Sequence, residues 1–269
     1  MENRIHTTNT LQPAVTSAAL PAISQSQVRE LFKLLAEEYG MPPAATLENI
    51  ARACANLARR MLGGNLAGQN LTVLAGAGHC GASGLATARY LASAGANVAV
   101  ILARQPEKFN PLAFQQQRLL ARWGVSAYVQ SSVPPSRLAE TLHGSNLIID
   151  ALLAGGLQGN PNGAEGFLIQ LLRQFQLPVL ALDLPSGLPP DGEVISNLDL
   201  CVWAHTTLAL ALPRITHLQR EAFEPIGNLY LANINVPPSL YVKLDLQVGP
   251  IFSAADLLLL RKVGTKERT

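Results

Sequence analysis

With 269 residues and a formal net charge of +2, the chain is long enough for one large α/β domain and too evenly charged to present a bulk cationic face to nucleic acid. Charged residues make up 14% and hydrophobic residues 48%, which excludes a disordered chain, and no apolar run reaches the roughly 18 residues of a membrane span. Three widely spaced cysteines, Cys54, Cys80 and Cys201, exclude a disulfide framework or a zinc cluster and fit a reducing, cytoplasmic setting.

Residues 1–25 are rich in Thr, Ser, Ala, Asn and Pro without an apolar period and predict a flexible tail. From Gln27 onward Val28, Leu31, Phe32 and Leu35 recur at helical spacing as far as Gly40. Thr46 is expected to open a second helix, with Glu48 near its positive end and Gly63-Gly64 closing it. Leu47, Ile50, Cys54, Leu57, Ala58 and Met61 fall on one face of that helix, so Cys54 reads as packing.

The stretch from Leu71 to Leu102 predicts strand, small-residue loop, helix and strand. Leu71 to Leu74 is a buried strand; Gly76, Gly78 and Gly81 then form G-x-G-x-x-G, and Gly84 follows. Leu85, Ala88 and Leu91 keep helical period up to Gly95, and Asn97 to Leu102 is a second buried strand. Backbone N–H groups at the positive end of a helix suit a phosphate or another anion, so the loop is a candidate nucleotide site. No Gly-Lys-Ser/Thr follows, which excludes a Walker motif, and the same glycines also suit a tight connection with no ligand.

The alternation continues with helices at Pro111 to Gly124, Pro135 to His143 and Gly163 to Gln176. Strands are expected at Val125 to Val129, Asn146 to Asp150 and Pro178 to Asp183, and further strands near Leu200 to Leu212 and Leu229 to Val236. This order specifies right-handed crossovers and a mostly parallel sheet with helices on both faces, a Rossmann-like three-layer sandwich. Ligands of such sheets sit beyond the carboxyl ends of the strands. Asp150, Asp183 and Ser186 are thereby brought to one edge beside the glycine loop, although an Asp at a strand end also serves as a simple turn cap. Trp123 and Trp203 read as core residues, His79 and His205 as polar surface or rim residues rather than a metal pair, and His143 and His217 as lying in polar surroundings.

The glycine loop, IIDALLAGGLQGN at Ile148 to Asn160 and LPVLALDLPSGLPPDGE at Leu177 to Glu193 together resemble the YjeF N-terminal domain, the family of NAD(P)H-hydrate epimerases. TLENIARACANLARRML before the loop and GNLYLANINVPPSLY at Gly227 to Tyr241 extend the likeness from about Val28 to Tyr241. The resemblance implies a domain over residues 26–245, with residues 246–269 as a C-terminal extension, that interconverts the epimers of hydrated NADH and NADPH. The hydrate is then substrate rather than cofactor, and a potassium ion accompanies it. Carried over by position, Asp150 is the catalytic carboxylate and an ion ligand, Ser186 is a second ion ligand, and Asp183 contacts the substrate. Gly78, His79, Cys80, Gly81, Ala82 and Ser83 line the substrate, and Ala154, Gly155, Gly156, Leu157, Gln158, Gly159 and Asn160 hold its phosphates. A homodimer and a separate dehydratase acting after it are the expected partners, since the chain ends soon after Tyr241 and no dehydratase domain is expected on it.

Gly78-His79-Cys80-Gly81-Ala82-Ser83-Gly84 departs from the family's G-N-N-G-G-D-G. Cys80 puts a soft thiol where a hard cation wants oxygen, and Ser83 and His205 each stand in place of an acid. Cys80 is either a loop filler or an exposed thiol activated by the helix terminus. Two alternatives to the epimerase therefore stand beside it: a nucleotide-binding or regulatory relative without turnover, and a dimeric interaction scaffold. If the epimerase reading holds, Asp150→Ala is expected to abolish epimerisation with little loss of stability.

Overall fold

The short apolar runs become strands because each is covered on both faces, which removes any need for polar alternation. The computed structural model describes residues 13–156, 159–194 and 197–261, so the expected ligand residues Leu157 and Gln158 lie outside the described residues. The chain runs β1 (Ala14–Thr16), α1 (Gln25–Glu37), α2 (Pro43–Met61), β2 (Asn70–Ala75), α3 (His79–Ser93), β3 (Asn97–Leu102), α4 (Pro111–Arg122) and β4 (Ser126–Val129). It continues through α5 (Pro135–His143), β5 (Leu147–Ala151), α6 (Gly163–Leu172), β6 (Val179–Leu182), β7 (Thr206–Leu210), α7 (Phe223–Ile226), β8 (Asn228–Ala232), α8 (Pro238–Lys243) and β9 (Leu257–Arg261).

The strands form one sheet in the order β1-β9-β8-β7-β6-β5-β2-β3-β4. All neighbours are parallel except β8 and β9. From β2 the chain winds outward through β3 to β4, then crosses back to β5 on the other side of β2, so the winding reverses between β2 and β5. The period of two divides each strand between two cores. Val73, Ala75, Val100 and Ile149 face α1, α2, α3 and α4, whereas Leu74, Ile101 and Ile148 face Leu138 and Leu142 of α5 and Leu168 and Leu172 of α6.

Several expectations need correction. Helix α2 opens at Pro43, whose fixed φ suits the first helical position, and Thr46 is buried inside the helix. Glu48 pairs with Arg89 of α3 instead of serving the helix end. Within the stretch expected as a flexible tail, β1 pairs with β9 and Ile23 bridges Arg214; within the expected C-terminal extension, β9 pairs with β8. Trp123 and Trp203 are not in the core: they are 50% and 42% exposed, with Arg89 and Arg173 stacked over their rings at 5.5 and 5.3 Å. Such a stack shields one ring face from water without burying the ring in the core. His217 is fully buried, its Nδ1 accepting from the backbone N–H of Arg214 at 2.9 Å. Among the described residues no helix is long and apolar enough to cross a membrane.

Candidate functional site

The site begins where the loop after β2 meets the loop after β5. A Cβ on Gly76 would lie 1.9 Å from the carbonyl oxygen of Leu152, so only glycine lets these two loops touch. Gly78 has open space where its Cβ would stand and is the N-cap of α3. Of the expected loop contacts, Gly78 and His79 are exposed and Cys80 is partly exposed, while Gly81, Ala82 and Ser83 are buried behind them in the first turns of α3. In the loop after β5, Ala154 and Gly155 are buried and Gly156, Gly159 and Asn160 are exposed.

Asp150 sits near the end of β5, opposite Leu74 of β2 and Ala181 of β6, and is 1% exposed. Its carboxylate is held by the neighbouring loops. The Ser186 backbone N–H donates to Oδ2 at 2.8 Å, the Ser186 hydroxyl to Oδ1 at 2.7 Å, and the Leu152 N–H to Oδ1 at 3.3 Å. Ser186 Oγ in turn accepts from the Leu153 N–H at 3.0 Å, which ties the loop after β5 to the loop after β6. Burial raises the Asp150 pKa from the ordinary carboxylate value, and the hydrogen bonds from Ser186 and Leu152 oppose the rise.

Asp183 follows β6 with a left-handed φ of 66°, a conformation its polar side chain tolerates. Its N–H donates to Leu208 of β7, and its carboxylate receives two hydrogen bonds from Arg214, Nε at 3.2 Å and Nη2 at 2.5 Å. Arg214 is 4% exposed and also donates from Nη1 to Gln25 Oε1 at 2.7 Å. The Gln25 N–H then donates to Asp191 Oδ1 at 2.5 Å, and a Cβ on Gly155 would meet Gln25 Oε1 at 2.3 Å. The head of α1 thus closes on the loops after β5, β6 and β7. Arg214, Gln25 and Asp191 escaped sequence reasoning. Arg214 stands beyond the carboxyl end of β7, so the strand-end rule that found Asp150 and Asp183, carried one strand further, reaches it.

Cys80 is partly exposed, but its surroundings disfavour the activated thiolate. Cys80 points at the Leu182 carbonyl 3.8 Å away, and burial, reinforced by the charges of Asp150 and Asp183, pushes its pKa well above the ordinary thiol value, against a smaller opposing effect of Arg214. His205 does not reach this edge. Its Nδ1 accepts from the N–H of Val179 at 3.3 Å at the amino ends of β6 and β7, and burial lowers its pKa. His79, at the head of α3, and His205, before β7, therefore form no pair. The donor set does not fit a potassium cradle: Asp150 and Ser186 hydrogen-bond each other, and the third position presents sulfur. Among the described residues no group of three His, Cys, Asp or Glu side chains could hold a metal ion.

An open, doubly wound α/β sheet with buried carboxylates and glycine turns at the reversal between β2 and β5 defines a class of protein whose ligand lies in the crevice above that reversal. Within that class the chain belongs to the family described as YjeF-related protein N-terminus, which it matches over residues 43–216. It is 30% identical to the NAD(P)H-hydrate epimerase of Dehalogenimonas lykanthroporepellens, over 85% of this chain and 88% of that protein. It is 31% identical to the NAD(P)H-hydrate epimerase of Truepera radiovictrix, over 84% of this chain and 94% of that one. The bifunctional NAD(P)H-hydrate repair enzyme Nnr of Thermofilum pendens is 29% identical over 83% of this chain, which spans only 42% of that protein. Among solved structures, yeast ynu0 shares the fold with a TM-score of 0.76 at 20% identity, covering 90% of this chain and all of that one.

Proposed function

We propose that this chain is an isomerase that interconverts the epimers of hydrated NADH and NADPH in metabolite repair. The observation that carries this is Asp150, a buried carboxylate of raised pKa beside the glycine loop at the reversal of the sheet. Its likeness to two proteins named NAD(P)H-hydrate epimerase over most of their lengths supports the same reading. Interconverting the epimers requires that a bond at the hydrated carbon break and re-form on its other face: the hydroxyl leaves as water with a proton from the carboxyl, and water adds back to the opposite face as the carboxylate takes a proton from it, so a single carboxyl acts first as donor and then as acceptor. Burial raises the Asp150 pKa, which favours its holding a proton to donate, and Ser186 fixes its orientation. Asp183, locked by Arg214, serves to contact the substrate, Gly78 to Ser83 line it at the amino end of α3, and residues from Ala154 to Asn160 serve its phosphates.

Potassium has little part in this proposal, given the sulfur of Cys80. A homodimer, a dehydratase that consumes the interconverted hydrate, and a cytoplasmic setting complete it. A nucleotide binder without turnover is the second reading, favoured by the three hydrogen bonds that occupy the Asp150 carboxylate. The test is to incubate the chain with one resolved epimer of hydrated NADH and follow the other by chromatography. Equilibration at a rate that Asp150→Asn lowers by about 100-fold or more supports the isomerase. Tight binding of the hydrate with no equilibration establishes the second reading.

A further inference from the structure

The βαβ unit from β2 to β3 carries G-x-G-x-x-G, and in a doubly wound dinucleotide site the residue about 20 positions beyond that motif, at the end of the next strand, meets the adenosine ribose. An acid there accepts from a free 2′-hydroxyl, whereas an arginine accommodates a 2′-phosphate. In this chain β3 ends Ile101-Leu102 and runs into Ala103-Arg104, so the position holds a guanidinium and no acid. The segment is anchored to the glycine loop, since Ala103 N–H donates to Ala75 at 2.9 Å and Asn110 N–H to Ala77 at 3.0 Å.

Arg104 is held in one orientation. Its Nε and Nη2 donate to the two carboxylate oxygens of Glu165 on α6, each at 2.8 Å, and the Glu165 side chain is 7% exposed. The contact joins the segment after β3 to the helix after β5, and so crosses the carboxyl end of β2, which lies between them. A guanidinium carries five N–H groups in a rigid fork, and this grip uses two of them. The Arg104 side chain is nevertheless 48% exposed, and Nη1 takes no part in the bonds to Glu165, which leaves donors for an anion.

We propose that Arg104 is a specificity-determining residue that takes the 2′-phosphate of the adenosine ribose, with Glu165 positioning it, so that the chain prefers hydrated NADPH over hydrated NADH. This rests on the dinucleotide reading of the same site. The alternative, that the pair merely braces α6 against β3, predicts no such preference.

The experiment is calorimetric titration of the full chain with ADP-ribose and with its 2′-phosphorylated form, alongside the epimerisation assay on both hydrates. The wild type is expected to bind the phosphorylated ligand about 10- to 100-fold more tightly, the range of a charge-assisted contact. Arg104→Ala should erase that preference while changing ADP-ribose affinity less than about threefold. Because the alanine strands the buried Glu165 carboxylate, the paired variant Arg104→Met with Glu165→Gln serves as a second probe and should show the same loss. Equal affinities in the wild type, or an equal loss for both ligands in the variants, would overturn the proposal. If the hydrates are still epimerised in that case, only this inference fails; binding of neither ligand and turnover of neither hydrate overturns the isomerase reading with it.

Discussion

Asp150 and Ser186 hold each other twice, through the backbone N–H at 2.8 Å and the hydroxyl at 2.7 Å, although they belong to loops after different strands. This changes what a substitution at Asp150 does. Alanine would remove the acceptor of the Ser186 and Leu152 donors in a buried setting, so Asp150→Ala should lower stability as well as activity, by about 1–3 kcal/mol for donors left without a partner. A denaturation midpoint unchanged from the wild type would contradict the role of these hydrogen bonds.

The raised pKa of Asp150 makes a signed prediction for stability. A carboxyl that binds its proton more tightly when folded contributes stability at low pH and loses it as pH rises through the folded value. The wild type should therefore gain stability relative to Asp150→Asn as pH falls from neutral toward the ordinary carboxylate range. Ser186→Ala removes a hydrogen bond that opposes the rise, so it should move this window, and the acid limb of the activity, to higher pH. Denaturant midpoints and rates measured between neutral and mildly acidic pH decide both; a shift to lower pH contradicts the assignment.

Arg214 and Asp183 form a buried bidentate pair, 4% and 5% exposed. Arg214→Ala leaves Asp183 charged and unpartnered, at a cost of about 3–5 kcal/mol. Arg214→Met combined with Asp183→Asn removes both charges and should recover a large part of that loss. Chemical denaturation of the three variants checks this, and a full loss in the paired variant would show that packing outweighs charge there.

Two glycines of one loop should respond oppositely to alanine. Gly76→Ala forces a Cβ into the Leu152 carbonyl at 1.9 Å and should destabilise by more than about 2 kcal/mol. Gly78→Ala meets open space and an ordinary φ of −93°, so it should fold normally and weaken ligand binding instead. Melting curves and calorimetry on the pair separate the two effects, and comparable destabilisation would remove Gly78 from the opening.

All three cysteines should resist alkylation in the folded chain. Burial lifts Cys54 and Cys201 to about 12 and Cys80 well above the ordinary value, leaving little thiolate near neutrality. Mass spectrometry after iodoacetamide at neutral pH should find label only once denaturant is added. Cys80→Asn, which restores an oxygen, should introduce a potassium dependence; a steep potassium requirement in the wild type would contradict the reading of Cys80.

The strands from β2 to β8 were legible in the sequence because each is a local apolar run, and the parallel order follows from helices long enough to cross between them. That order alone sends Asp150 and Asp183 to one edge of the sheet. Everything that fixes the state of those carboxylates is a contact between distant residues. Arg214 reaches Asp183 across 31 positions and Gln25 across 189, and no periodicity encodes such a meeting. The three-residue β1 is too short to show a period and exists by pairing with β9 at the far end of the chain. From its neighbours in sequence His205 could stand on the polar surface or at the rim of the site. Only the direction of β7 decided between them, because a residue before a parallel strand lies a full strand length from the edge where the carboxylates stand.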